Sequence, residues 1–233
     1  MKIAVIGSGL ASFACCSVLN KNNFSPDVYD YGEDLDSDQK EIKKKIKGYL
    51  ETGNKYKLSN IVGTILQQNP GEYPKKKYFG SEKFYNYINR SFTKSNPAHS
   101  SNIGGFGKVW SASALFPDKK DLTDWPDFSI PNINLYNKYF NNLSYLAKKD
   151  NLEKFFTKLS DQNNYLKHHK CIEVLQDKIA KMNTDNFISG FSKSFLSTTG
   201  DNQCRYCGLC MTGCVYNSIF DPSIEFMKLI ENK

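Results

Sequence analysis

Four cysteines stand within eleven residues near the end of this 233-residue chain: Cys204, Cys207, Cys210 and Cys214, in the run CRYCGLCMTGC. The spacing is C-x2-C-x2-C-x3-C. Thiolates set two residues apart curl around one cuboidal iron–sulfur cluster while the intervening amides point at its sulfides. Gly208 and Gly213 ease that curl. In two-cluster ferredoxins the fourth cysteine of such a run ligates the other cluster, and only one run exists here. A single 4Fe-4S cluster would therefore take Cys204, Cys207 and Cys210 plus either Cys214 or a remote thiol, for which Cys171 is the candidate. Zinc on the same thiolates, or a loop of unmetallated thiols, are the alternatives. Cys15 and Cys16 read as small hydrophobes inside a helix. Seven cysteines is an odd number, and disulfides between such close neighbours would be strained. The pattern fits a reduced, cytoplasmic setting better than a disulfide framework.

A second chemistry-bearing pattern opens the chain. The stretch MKIAVIGSGLAS places Gly7, Gly9 and Ser12 at the positions of G-x-G-x-x-G/A. Gly7 permits a tight turn off a strand. Gly9 lets the backbone approach a pyrophosphate held at the positive end of the following helix. The third position must be small for helix and strand to pack closely. Asp30 lies at the distance expected of an acid that accepts hydrogen bonds from ribose hydroxyls. A dinucleotide is the ligand this pattern predicts, and FAD and NAD are not separated by it.

A third stretch, NIGGFGKVWSASALFPDKKDLTDWP, runs from Asn102 to Pro126. Gly104 and Gly105 would bring backbone amides close to a flat ring system. Together with Gly107, Val109, Trp110, Asp121, Leu122, Asp124, Trp125 and Pro126, they resemble the flavin-contacting segment of glucose–methanol–choline (GMC)-type FAD oxidoreductases. The likeness is to a bacterial branch associated with polysaccharide biosynthesis clusters, which also carries a C-x-x-C-G-L-C-x-x-G-C loop downstream. The resemblance thus touches three separated blocks in the right order. Gly107 stands where the family has Ser, Ser111 where it has Gly, and Val215 where Pro is common.

The resemblance implies an FAD-dependent oxidoreductase that oxidises a CH-OH group of a small-molecule alcohol or sugar by hydride transfer to flavin. A 4Fe-4S cluster would serve as electron relay or structural clip. The chain matches the N-terminal half of such an enzyme. The family's catalytic His/Asn pair and further strands of its FAD sheet belong to the other half, so a separately encoded C-terminal half is an expected partner. His99, His168 and His169 do not occupy the catalytic position and read as surface residues. Trp110 and Trp125 read as packing residues. A non-catalytic iron–sulfur electron carrier is the competing expectation, and a truncated product in need of a partner chain is the third.

The elements that must position these groups are partly legible. Lys2–Ile6 reads as a buried parallel strand, Leu10–Leu19 as a helix ended by Asn20, and DVYDY, Asp27–Tyr31, as a second strand. The fold class expected is α/β: a Rossmann-like FAD-binding βαβ start on an incomplete parallel sheet, with helical segments and a C-terminal cysteine-rich loop. Residues 32–47 read as partly helical. Residues 69–80 and 95–113 read as loop, 84–92 as strand or helix, and 135–156 and 172–182 as helical. The domain division expected is 1–130 as the dinucleotide-binding region, 131–200 as mainly helical, and 201–233 as the cysteine loop with a terminal helix.

Net charge is +7, with lysine clusters at Lys43–Lys45, Lys75–Lys77 and Lys148–Lys149. Solvated helix faces and loops account for such runs. No nucleic-acid-binding module accompanies them, so no nucleic-acid partner is expected. No uninterrupted apolar run reaches eighteen residues, so no membrane span is expected. The apolar N-terminus has the outline of a short signal peptide, but its central G-x-G and the acids Asp27 and Asp30 argue against that reading.

Overall fold

The computed structural model describes residues 2–32, 34–68, 100–108, 110, 112–115, 119–125, 134, 138, 145–146, 150–154, 166–182, 187–210 and 213–231. The chain divides into two compact units. The first comprises 1–111 and 199–233, the second 112–198. The cysteine run and the glycine-rich opening therefore share one unit.

In the first unit, β1 (Ala4–Ile6) leads through Gly7 into α1 (Leu10–Lys21), which returns to β2 (Asp27–Tyr29). The two strands pair in parallel, with Ala4 opposite Asp27, Val5 opposite Val28 and Ile6 opposite Tyr29. The Gly7 amide donates to the Tyr29 carbonyl at 2.7 Å and extends the ladder past the last strand residue. A mixed α/β fold with a β–α–β opening follows directly. The second strand is shorter than DVYDY suggests. The Asp30 carboxylate accepts the Gly32 amide at 2.8 Å, and this local turn, with Gly32 at φ +79°, takes the chain off the sheet. Helix α1 runs past Leu19 to Lys21. Asn22 ends it instead of Asn20, its side-chain amide donating to the Val18 carbonyl at 2.8 Å and Asn23 turning left-handed.

Helix α2 (Ser37–Glu51) starts at a complete capping box. The Asp36 carboxylate accepts the Gln39 amide at 2.8 Å and the Gln39 side chain accepts the Asp36 amide at 3.1 Å. These two bonds satisfy donors that a helix start otherwise leaves unpaired. Helix α3 (Lys55–Gln68) follows and packs on α2. Ile46 of α2, 2% exposed, and Val215 centre the core that joins these helices to Leu209 and Tyr216 of the cysteine segment. The last helix of the unit, α5 (Pro222–Glu231), packs on α1. Phe13 of α1 meets Phe220 and Phe226 at ring-centroid distances of 5.2 and 5.8 Å.

The second unit holds α4 (Lys170–Ala180) and an antiparallel pair, β3 (Tyr145–Leu146) with β4 (Ser194–Phe195). Tyr145–Leu146 lies inside the stretch expected to be helical. Leu146, Ser194 and Phe195 are buried, so this pairing gains a covered, ladder-bonded position that local periodicity does not reveal. The regions 69–80 and 84–92 lie outside the described residues. Among the described residues, no helix is long and apolar enough to cross a membrane.

Candidate functional site

The site is built on the turn between β1 and α1. Gly7 takes φ +88°, a left-handed conformation that L side chains rarely adopt. The Ser12 hydroxyl reaches back to the Ile6 carbonyl at 3.3 Å and ties the helix to the strand end. Gly9 caps α1 with no side-chain hydrogen bond. The first amides of that helix therefore have no capping side chain, which is the arrangement an anion exploits. A Cβ built on Gly9 meets nothing within 4 Å, so the space before the helix start is open. Asp30 follows β2 and uses Oδ1 for the Gly32 amide.

The second glycine stretch sits against the first. The Gly104 amide donates to the buried Ser8 hydroxyl at 2.7 Å, a bond between residues 96 positions apart in the chain. A Cβ on Gly105 would lie 3.9 Å from the Gly9 Cα. Gly104 and Gly105 have φ +86° and +56°, and Gly105–Lys108 form a 3-10 turn within the segment read as loop.

The segment that closes the cysteine run completes the junction. A Cβ on Gly104 would meet Ser223 at 3.1 Å and the Asp221 carboxylate at 3.2 Å. Asp221 caps α5, accepting from the Ser223 amide and hydroxyl at 2.9 and 2.6 Å. Gly107 is buried, and a Cβ there would lie 2.5 Å from Pro222 Cγ. Proline at 222 thus fills the room that a serine at 107 would need, which explains the glycine at that position. The Trp110 indole N–H donates to the Phe220 carbonyl at 3.1 Å, a packing and anchoring role. Trp125 is exposed. Val109, Ser111 and Pro126 lie outside the described residues.

Cys204, Cys207, Cys210 and Cys214 are all free thiols, each half-buried. Backbone amides already aim at two of the sulfurs: Tyr206 N–H at Cys204 Sγ, 3.4 Å, and Ser218 N–H at Cys214 Sγ, 3.2 Å. The run bends through left-handed residues at Tyr206, Gly208 and Gly213. Burial pushes the Cys207 and Cys210 thiols above their ordinary pKa, and neighbouring thiols of the same run push both further up. Two thiols of the run whose ionisation is disfavoured by burial and by neighbouring thiols suit a cation that would neutralise them. Among the described residues, no group of three or more His, Cys, Asp or Glu side chains is drawn together as a ligand cage. The donor types, spacing and amide-to-sulfur bonds fit a thiolate-bound cluster or zinc ion, whose binding would have to draw the sulfurs in.

Of the remaining cysteines, Cys16 is buried in the α1 contact, whereas Cys15 is exposed rather than packed. Cys171 belongs to the second unit, exposed on α4, with its sulfur 2.9 Å from His169 Nδ1. His169 caps that helix, accepting the Cys171 amide at 3.3 Å. His168 stacks on Phe191 at 4.4 Å. His99 lies outside the described residues.

Sequence reasoning missed Lys43. It stands in a lysine run read as a solvated face, yet its ammonium donates to Asn217 Oδ1 at 3.0 Å beside Cys214. Its register on α2, three residues before Ile46, was the signal available. No protein-family model matches the chain, and no curated protein matches it.

Proposed function

We propose that this chain binds FAD and a thiolate-held 4Fe-4S cluster in its first unit, and serves an oxidoreductase that acts on CH-OH groups of alcohols or sugars. The observation that carries the reading is the junction at Gly104. There the first glycine turn, the second glycine stretch and the helix that follows the cysteine run meet through the 2.7 Å bond to Ser8 and the contacts with Asp221 and Ser223. Within the first unit, the glycine turn, the start of the second glycine stretch and the helix that follows the cysteine run are neighbours in space.

Within this reading the chain's own residues divide the work. The uncapped start of α1 and the open face of Gly9 take the pyrophosphate. Asp30 holds the ribose. The Gly104 and Gly105 amides are taken up by the Ser8 hydroxyl at 2.7 Å and the Asn102 carbonyl at 2.8 Å, so these residues serve the ring system by holding the second glycine stretch against the first, with Val109 and Trp110 beside them in sequence. Cys204, Cys207, Cys210 and Cys214 ligate the cluster. Cys214 is taken as the fourth ligand because it closes the same run, after a three-residue spacer from Cys210, and already accepts the Ser218 amide on its sulfur at 3.2 Å. When bound, the flavin supplies hydride acceptance and the cluster supplies single-electron transfer. Catalytic acid–base residues are not assigned to this chain. A further polypeptide segment would complete the sheet. Its support is the exposure of Ile6 (78%), Val28 and Tyr29 among the described residues, since parallel strands are ordinarily covered on both faces.

Gly9→Val tests the dinucleotide site. Beyond the two chain neighbours no protein atom stands within 4 Å of the new Cβ, and the backbone there is at φ −73°, which valine tolerates. The expected outcome is a folded protein with its melting temperature nearly unchanged and its extractable FAD lost. FAD retained at the wild-type ratio would refute the placement of the pyrophosphate at α1.

A further inference from the structure

Helix α2 lies along the cysteine segment. Ile46 is buried against Val215, which directly follows Cys214, and against Leu209, which lies between Cys207 and Cys210. Lys43 is one turn before Ile46, on the same side of the helix. Its ammonium donates to Asn217 Oδ1 at 3.0 Å. Asn217 sits at φ +54°, and its amide donates to the Cys214 carbonyl at 3.2 Å. Lys43, Cys214, Asn217 and Asp221 line a pocket of about 40 Å³, room for a water molecule and little more. Burial holds the Lys43 pKa below its ordinary value, against the opposing pull of the Asp221 carboxylate and the Cys214 thiolate. Lys108 adds to the lowering, and Asp34 opposes it. The next two lysines of the run, Lys44 and Lys45, are exposed. The sequence does not distinguish them from Lys43.

We propose that Lys43 is a positioning residue of the cysteine site: it pins the Asn217 turn that follows Cys214 and sets a positive charge beside that sulfur, favouring the reduced, more negative state of the bound cluster. The inference rests on the proposed cluster and concerns a residue outside the ligand set. The physical basis is general. Charges and hydrogen bonds around cluster sulfurs set the reduction potential, and groups one step behind the ligands orient them. A cation in a half-buried setting is weakly screened.

The test uses the whole chain, reconstituted anaerobically with iron and sulfide. Iron content and the reduction midpoint are compared for wild type, Lys43→Met and Lys43→Arg. Methionine keeps much of the apolar stem and removes the charge. Arginine keeps the charge. For Lys43→Met the expected result is about a tenfold lower ratio of reduced to oxidised cluster at a fixed potential, which is about 59 mV for one electron. Lys43→Arg should stay near wild type. Loss of iron from folded Lys43→Met alone, with Lys43→Arg loaded, also supports the role. An unchanged midpoint in Lys43→Met overturns the proposal, as does an equal displacement in both variants. Wild-type protein that binds no iron overturns the cluster itself and this role with it, a result distinct from an unchanged variant.

Discussion

Asp150→Ala is expected to cost about 3–5 kcal/mol of stability, the range for stripping one partner from a buried ion pair. Asp150 is an unusually committed carboxylate. Oδ2 accepts the Lys193 ammonium at 3.0 Å and the Phe191 amide at 2.7 Å, while Oδ1 accepts the Leu152 amide at 3.0 Å. The two side chains are only 6% and 11% exposed, Lys193 and Asp150 in that order. Removing the carboxylate takes from a buried ammonium its 3.0 Å counter-ion and from two amides this acceptor. Breaking one half of a buried pair is costly for that reason, even where the intact pair adds little net stability. Gly190 presses on the same point, since a Cβ there would lie 2.6 Å from the Asp150 carboxyl carbon. Lys193→Met should cost less, because the carboxylate keeps both backbone donors. Thermal melts check the order. Asp150→Ala should fall by roughly 6–20 °C, at about 2–4 °C per kcal/mol for a chain of this size. A drop no larger than that of Lys193→Met would refute the assignment.

Ile46→Ala is expected to destabilise the first unit by about 2–5 kcal/mol, the range for deleting a well-packed aliphatic side chain. Ile46 is 2% exposed and, with Val215, centres the cluster that includes Leu209, Tyr216 and Phe106. The same substitution should loosen the cysteine segment, because two of those contacts flank its ligands. Ile46→Val, which removes one methylene, should cost about 0.5–1.5 kcal/mol. Urea titrations of the two variants separate the values. A loss below about 1 kcal/mol for alanine would mean that the cysteine segment does not depend on α2 for its packing.

The strand–helix–strand opening was legible because its signals are local. Gly7 and Gly9 punctuate the end of an apolar β-branched run, and no proline interrupts α1. The start of α2 was also written in the sequence as Asp36 followed three residues later by Gln39. It was obscured by the charge-rich run around it. The β3–β4 pair was not legible. Its two strands are short, and each depends on a partner far along the chain, Tyr145 on Phe195 and Leu146 on Ser194. The Gly104 junction was not legible from spacing either. A resemblance orders motifs along a chain, but the contact between Gly104 and Ser8 is a product of tertiary packing. Lys43 illustrates the same limit. Charge alone made Lys43–Lys45 one solvated run, whereas the apolar stripe of Ile42, Ile46 and Leu50 on α2 turns Lys43 toward Asn217 and leaves its neighbours in solvent.

The most direct test of the two-cofactor reading is an anaerobic absorption spectrum of the purified chain, with iron, zinc, sulfide and extracted-flavin assays on the same sample. The expected result is a set of flavin bands over a broad iron–sulfur shoulder that bleaches on reduction, with about four iron per chain. A folded sample that holds neither flavin nor iron after reconstitution, or that holds iron without flavin, would contradict it.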